Sequence, residues 1–137
     1  MTIVAQQRQE LSDKEKKQAI CKLMLQILEI LFDQNNAKLA LHLGLSRSVI
    51  GKWIRAGECG YNVSQKERDN DYQKFLVLAS IHRSLYSIFT NPKDRAIWFY
   101  ASNSDFHGAS PSDLVKSGIL GAVTVKQYLD YQRGLGV

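Results

Sequence analysis

The 137-residue sequence is poor in cysteine and contains no long apolar run, and each absence excludes a class of protein. Cys21 and Cys59 form no CxxC pair and have no histidine at a ligand spacing, so neither a disulfide framework nor a zinc site is expected. No apolar stretch approaches the roughly 20 residues that span a bilayer, and residues 1–17 are too polar for a secretory signal. We therefore expect a cytoplasmic protein without a membrane segment.

Motifs of enzymes and cofactor sites are also missing. The sequence has no GxSxG motif, no phosphate-binding glycine loop and no His/Cys set at metal-ligand spacing. Asp105 and His107 lie close together, but no nucleophile with a supporting base accompanies them. We predict no catalytic residues, no metal and no cofactor.

Helix-start signals recur along the chain, whereas strand-like alternation bounded by hairpin turns is absent. We therefore predict an all-α fold. Two signals are capping boxes, in which a serine and a glutamate three residues later satisfy free backbone N–H groups. Two others place a proline at the first helical position. The starts are Ser12 with Glu15, Ser64 with Glu67, Asn91 with Pro92, and Ser110 with Pro111, and a last helix is predicted from about Ala122 to Gly134.

The predicted first helix, which runs to about Phe32, is apolar around most of its circumference. Its polar side chains between residues 20 and 32 are Lys22, Gln26 and Glu29, which form one narrow stripe. Such a helix needs a cover, which is either a second copy in a homodimer or the rest of the same chain. We favour the homodimer, because it suits a protein that reads a palindromic DNA site.

Residues 35–57, NNAKLALHLGLSRSVIGKWIRAG, have the spacing of a helix-turn-helix. Asn35 and Ser46 can cap two short helices, and Gly44 permits the turn between them. His42 is expected to be a partly exposed helix residue rather than a ligand. Apolar residues fall where two crossing helices bury side chains, at Leu39, Ala40, Leu43, Leu45, Ile50 and Trp53.

The second of these helices presents a face that can reach DNA bases and phosphates. Because no acidic residue lies between Asp33 and Glu58, the cations of this segment should act unopposed. Gly51 favours this interpretation over a generic hairpin with solvated cations, since a helical glycine costs about 1 kcal/mol unless close backbone approach is useful. The predicted DNA-binding residues are Asn36, Lys38, Ser46, Arg47, Ser48, Gly51, Lys52 and Arg55.

Over most of its length the chain resembles the Xre/MbcA/ParS-like antitoxins. The resemblance lies in LGLSRSVIGKWIRAGE, in Asn91-Pro92 and Trp98, in GASPSDLV from Gly108 to Val115, and in the glycine region at Gly134. It implies a dimeric type II antitoxin that binds a protein toxin with its C-terminal domain and represses its own operon. Toxins of the RES type, which consume NAD or ADP-ribosylate a target, are the implied partners.

The chain is accordingly divided into a helix-turn-helix region at 1–60, a connecting or dimerisation helix at 61–90 and a toxin-binding domain at 91–137. Three departures from the family pattern stand out: His107 replaces a frequent glycine, Ser112 replaces a usual apolar residue, and the tail ends GLGV. The predicted toxin-binding residues are Trp98, Phe106, His107, Tyr128, Tyr131, Arg133 and Gly134. Aromatic residues dominate interface hot spots, although packing within the domain is the alternative for each of them.

A phage-type helix-turn-helix repressor without a toxin partner is the alternative function, because the N-terminal half alone would suit it. The adjacent gene distinguishes the two. A small cotranscribed toxin gene favours an antitoxin, and divergent lysis–lysogeny genes favour the repressor.

Overall fold

The computed structural model describes Glu15, Gln18, Ala19 and residues 21–56 and 65–134. All regular structure in this part of the chain is helical, which confirms the predicted all-α fold. No helix within it is long and apolar enough to cross a membrane. The helices are α1 (21–31, as far as described), α2 (Asn36–Leu43), α3 (Arg47–Ala56), α4 (Gln65–Ile88), α5 (Pro92–Tyr100), α6 (Pro111–Ser117) and α7 (Ile119–Gly134), with a 3-10 turn at Ser104–Phe106.

The predicted caps of α2, α5 and α6 are present. The side-chain oxygen of Asn35 accepts hydrogen bonds from the first N–H groups of α2, and Asn91 does the same for α5. Ser110 and Asp113 form a reciprocal capping box, with side chain-to-backbone distances of 3.0 and 3.1 Å. The capping boxes predicted at Ser12 and Ser64 lie outside the described residues.

Glycines set the geometry at two helix junctions. Gly44 adopts a left-handed conformation with φ of 70° and ends α2, as the sequence predicts. Gly121 lets α7 approach α6, because a Cβ atom at this position would lie 2.0 Å from the carbonyl oxygen of Leu114. The last helix begins at Ile119 rather than near Ala122, because Gly118 alone separates it from α6.

Buried side chains from both ends of the described chain form one hydrophobic core. Helix α4 packs along α7, α6 packs on α7, and α2 crosses α3 and also contacts α6. Phe32, Phe75 and Phe99 are among the largest fully buried side chains and come from three different parts of the sequence. The helix-turn-helix therefore shares its core with the C-terminal helices, while the three-part division of the sequence stays a prediction.

The rest of the chain covers most of the apolar surface of α1. Met24, Ile27 and Leu28 are buried, as are Leu31 and Phe32 at its C-terminal end. Leu25 is the exception, with 52% of its surface exposed. The same chain thus covers most of the apolar side chains of α1. The homodimer stays a prediction, and less exposed apolar surface supports it than the sequence indicates.

Candidate functional site

The helix-turn-helix forms as the spacing predicts. Leu39, Ala40, Leu43 and Ile50 are buried between α2, α3 and the helices behind them, and Leu45 is half-buried. The buried sides of both helices leave the opposite side of α3 in solvent. Among the predicted DNA-binding residues from Ser46 to Arg55, those that are exposed are Ser46, Arg47, Ser48 and Lys52. Gly51 is half-buried, and the side chain of Arg55 lies outside the described part.

Lys38 departs from the expectation that the cations act unopposed. Its Nζ atom lies 3.0 Å from Oδ2 of Asp33, and both side chains are exposed. Asp33 belongs to the turn before α2 and has a positive φ of 52°, so the chain reverses there and places this carboxylate beside the helix. Although residues 34–57 include no acidic residue, the carboxylate of Asp33 therefore lies beside Lys38 in the fold. Asn36, at the start of α2, is half-buried.

Three predicted toxin-binding aromatics pack on one another. The rings of Trp98 and Tyr128 are stacked with centroids 6.2 Å apart, and Phe106 meets Tyr128 at 5.0 Å. The Tyr128 hydroxyl donates to Oδ2 of Asp105 at 2.7 Å, and this bond is the main cause of a raised Tyr128 pKa. Phe106 is buried, whereas the other two rings are half-buried. Packing within the domain therefore accounts for much of the surface of these three rings.

Tyr131 lies in a different environment, on the outer side of α7. It is 65% exposed, and Leu120 at the start of the same helix is 81% exposed. Thr124 and Gln127 are exposed between them, so positions i, i+4, i+7 and i+11 form one uncharged row. We call Leu120, Thr124, Gln127 and Tyr131 the α7 stripe. Leu120 is not among the predicted toxin-binding residues, because the apolar segment ILGAV at the start of α7 has the composition of a buried helix.

Charged residues flank this stripe. Lys126 and Asp130 form an ion pair of 2.8 Å one turn apart. Arg133 lies 3.8 Å from the same aspartate and donates to the hydroxyl of Ser84 on α4 at 3.1 Å. Arg133 and Gly134 are exposed at the end of the helix, but Arg133 reaches toward α4 and Tyr128 packs in the aromatic cluster, so the predicted residues of α7 lie on different sides of the helix.

His107 is exposed in the turn before α6 and has a positive φ of 57°. Glycine adopts such a conformation without steric cost, which gives a physical reason why the family has a glycine there. The next residue, Gly108, also has a positive φ, of 91°. His107 therefore lies at the tip of a tight turn, apart from the mutually packed aromatic rings.

His42 is buried, so the expectation of partial exposure is wrong. Its Nε2 atom lies 2.7 Å from Oγ of Ser112, and its Nδ1 atom lies 2.7 Å from the carbonyl oxygen of Lys38. Burial is the main cause of its lowered pKa. Ser112, the polar residue at a usually apolar family position, is buried as the partner of this histidine. The departure from the family pattern was the one signal in the sequence that pointed to this contact.

The described residues contain no group of three or more histidine, cysteine, aspartate or glutamate side chains that could hold a metal ion. Exposed polar side chains lie on α3, in the turn at His107 and at the end of α7.

Comparison with known proteins bears on the C-terminal surfaces. Residues 84–134 match the family model described as the antitoxin Xre/MbcA/ParS C-terminal toxin-binding domain. No curated protein matches the chain. The matched range begins within α4 and ends with α7, so it includes both the aromatic cluster and the α7 stripe. Residues 84–134 are therefore similar to the C-terminal toxin-binding domain of the Xre/MbcA/ParS antitoxins, and this similarity supports an antitoxin role for the chain in a toxin–antitoxin system.

Proposed function

We propose that this chain is a cytoplasmic type II antitoxin that neutralises a cognate protein toxin through the α7 stripe and represses its own operon through α3. The observation that carries the proposal is the exposed, uncharged row of side chains within the matched toxin-binding domain. The chain supplies binding surfaces, and the catalytic chemistry belongs to the toxin. Its resemblance to the antitoxin family favours a RES-type toxin that consumes NAD or ADP-ribosylates a target.

The α7 stripe has the composition of an interface centre. Leu120 and Tyr131 are large, apolar and exposed, and eleven residues of helix separate them by roughly 16 Å. Interface centres are depleted of charge and enriched in aromatic anchors, whereas their rims are polar. The ion pair of Lys126 and Asp130 beside the stripe fits such a rim. Tyr131 is thus the best-placed anchor among the predicted toxin-binding residues.

The exposed face of α3 is the proposed DNA-reading surface. Arg47 and Lys52 supply positive charge there, and Ser46 and Ser48 supply hydroxyl groups that lie 3.0 Å apart. A helix of this type enters the major groove, where base edges present their hydrogen-bonding pattern. Lys38 contributes less charge than the sequence indicates, because Asp33 is beside it.

A homodimer would place two copies of α3 on the half-sites of an inverted repeat. Such half-sites lie about 34 Å apart, one helical turn of DNA. Exposed Leu25 borders a cleft that is also lined by Leu28 and Ile54, which offers apolar surface for a second copy. Light scattering at micromolar concentration is expected to give twice the mass of one chain, and a stable monomer would contradict the proposal.

Co-expression with the adjacent open reading frame tests the antitoxin function. The neighbouring product alone should arrest growth, and co-expression of this chain should restore growth and yield a complex on affinity purification. A promoter fusion in the same cells measures repression independently. Repression of the promoter without growth protection or complex formation would favour the repressor that has no toxin partner.

A further inference from the structure

A small apolar pocket opens at the surface between the end of α4, α5 and α7. Its volume is about 200 Å³, which is enough for one side chain, since an apolar protein cavity of roughly 150 Å³ accommodates a benzene ring. The lining residues carry no charge and are Ile88, Phe89, Trp98, Tyr128, Leu129 and Gln132. The pocket therefore suits an uncharged, apolar group.

Arg95 on α5 fixes the edge of this pocket at the end of α4. The arginine is only 4% exposed, and no described carboxylate lies within ion-pair distance of it. Buried guanidinium groups are normally paired with an acid. Here the Nε atom donates to the carbonyl oxygen of Phe89 at 2.9 Å, and an Nη atom donates to that of Thr90 at 3.1 Å. Arg95 therefore holds the backbone that carries one of the lining rings.

Contacts of α7 fix the opposite wall. The rings of Trp98 and Tyr128 are stacked, and Asp105 accepts a hydrogen bond from the Tyr128 hydroxyl at 2.7 Å. Nearer the end of α7, Arg133 donates to the hydroxyl of Ser84 at 3.1 Å and so joins α7 to α4. The pocket is thus held in shape by contacts within the chain, and a preformed site loses less conformational entropy when a partner binds.

The pocket adjoins the α7 stripe. Tyr128 follows Thr124 by four residues and precedes Tyr131 by three, and side chains at these spacings are neighbours on a helix. All six lining residues lie within the range 84–134 that matches the toxin-binding domain. The candidate surface for a second copy, at Leu25 and Ile54, shares no residue with the pocket. These relationships favour the toxin as the partner whose side chain fills the pocket.

We propose that the pocket between α4, α5 and α7 receives one aromatic or branched aliphatic side chain of the cognate toxin, while the α7 stripe contacts the surface around that side chain. This inference rests on the proposed toxin-binding function and adds the chemistry of the group that is recognised. Hot-spot side chains of one partner fill well-packed, desolvated pockets of the other. An ionised toxin residue would lose its hydration here without gaining a charged partner.

Intermolecular nuclear Overhauser effects (NOEs) test the pocket directly. The full-length chain, with labelled isoleucine methyl groups, is mixed with an unlabelled, inactive variant of the toxin encoded by the adjacent open reading frame. We expect NOEs from Ile88 to aromatic or methyl protons of the toxin, and none from Ile30 on α1, outside the matched range. Absence of the Ile88 NOEs in a complex that forms would overturn the proposal. NOEs from Ile88 to residues 135–137 or to a second copy would assign the pocket to this chain itself and would also overturn it.

Gln132→Trp tests the same point by affinity, because the introduced indole can fill the pocket from within the chain. We expect this variant to bind the toxin at least about tenfold more weakly and to unfold at the same temperature as the wild type or a higher one. Gln73→Trp, the same change at an exposed position of α4 outside the matched range, should alter the affinity less than about twofold. Equal affinities of the two variants would contradict the proposal.

Tyr131→Ala separates a failure of this inference from a failure of the proposed function. A loss of affinity in Tyr131→Ala, with no Ile88 NOEs and with full affinity in Gln132→Trp, would reject the pocket and retain toxin binding through the α7 stripe. Absence of any complex between the wild-type chain and the toxin would reject the proposed function itself.

Discussion

His42 and Ser112, which lie 70 residues apart in the sequence, share a buried hydrogen bond of 2.7 Å. The carbonyl oxygen of Lys38 can only accept, so the neutral ring of His42 carries its proton on Nδ1 and receives the Ser112 hydroxyl on Nε2. The ring of Phe32 lies 4.7 Å from that of His42, and the ring of Phe99 lies 5.7 Å away. This contact fixes α2 of the helix-turn-helix to α6, which lies within the matched range 84–134.

Because the two halves share this contact and one core, a deletion that removes either half exposes apolar surface of the other. Point substitutions on exposed residues are therefore the better way to separate DNA binding from toxin binding. The predictions below use such substitutions wherever function is measured.

Ser112→Ala should destabilise the protein by about 1–3 kcal/mol, because it leaves the buried Nε2 atom of His42 without a partner. The double variant His42→Leu with Ser112→Val should recover much of this loss, since removal of both polar groups leaves neither unpaired. Urea unfolding of the single and double variants measures the coupling. Additive effects would contradict a direct interaction between the two residues.

Stability should decrease as the pH falls below about 6.5, the ordinary histidine pKa. Burial lowers the pKa of both His42 and His82 in the folded state, so in this pH range the unfolded chain binds protons that the folded chain does not. Each histidine can then contribute at most about 1.4 kcal/mol per pH unit. Urea unfolding at pH 7.5 and 5.5 should show a smaller difference in stability for His82→Leu than for the wild type, and an equal difference would contradict the prediction.

Gly121→Ala should be among the more destabilising single-methyl additions in this chain. The new Cβ atom would meet the backbone carbonyl of Leu114 at 2.0 Å, so α6 and α7 must separate, at a cost of about 1–3 kcal/mol. Gly134→Ala is the matched control, because nothing lies within 4 Å of its Cβ position. Thermal unfolding of both variants compares them, and equal midpoints would show that the helices adjust without cost.

Arg47→Ala or Lys52→Ala should weaken binding to the chain's own promoter by about 1–3 kcal/mol where the residue reads a base. A phosphate contact would instead weaken binding to all sequences alike. Lys38→Gln should have a smaller effect, because Asp33 already neutralises this lysine. Fluorescence anisotropy at fixed salt compares the three variants, and a larger loss for Lys38→Gln would mean that the DNA-facing surface is centred on α2.

Tyr131→Ala or Leu120→Asp should reduce toxin affinity by about 2 kcal/mol or more, as expected for an anchor at an interface centre. Leu41→Ala, which alters an exposed leucine on α2, outside the matched range, should preserve both affinity and growth protection. Calorimetric titration with an inactive toxin variant and a growth assay provide two independent measurements. Full protection by both stripe variants would move the toxin site to the turn at His107.

The sequence by itself determined the all-helical fold and several of the helix ends. Asn35, Gly44, Asn91 and Ser110 were predicted to start or end helices, and each does so through contacts within a few residues of chain. Helical periodicity likewise identified Leu39, Ala40, Leu43 and Ile50 as buried positions of the helix-turn-helix, whereas the side chain of Trp53, predicted to be buried with them, lies outside the described part. These features depend on short-range hydrogen bonds and on side-chain spacing, both of which are written along the sequence.

Only the tertiary structure decided which side chains meet and which remain in solvent. It paired Lys38 with Asp33, buried His42 against Ser112, and placed Phe106 in the core while leaving Tyr131 exposed. Each of these outcomes depends on how a turn reverses or on which helix packs against which. Residue type and local spacing do not say which distant segment covers a side chain, so packing between segments settles whether an aromatic ring is buried.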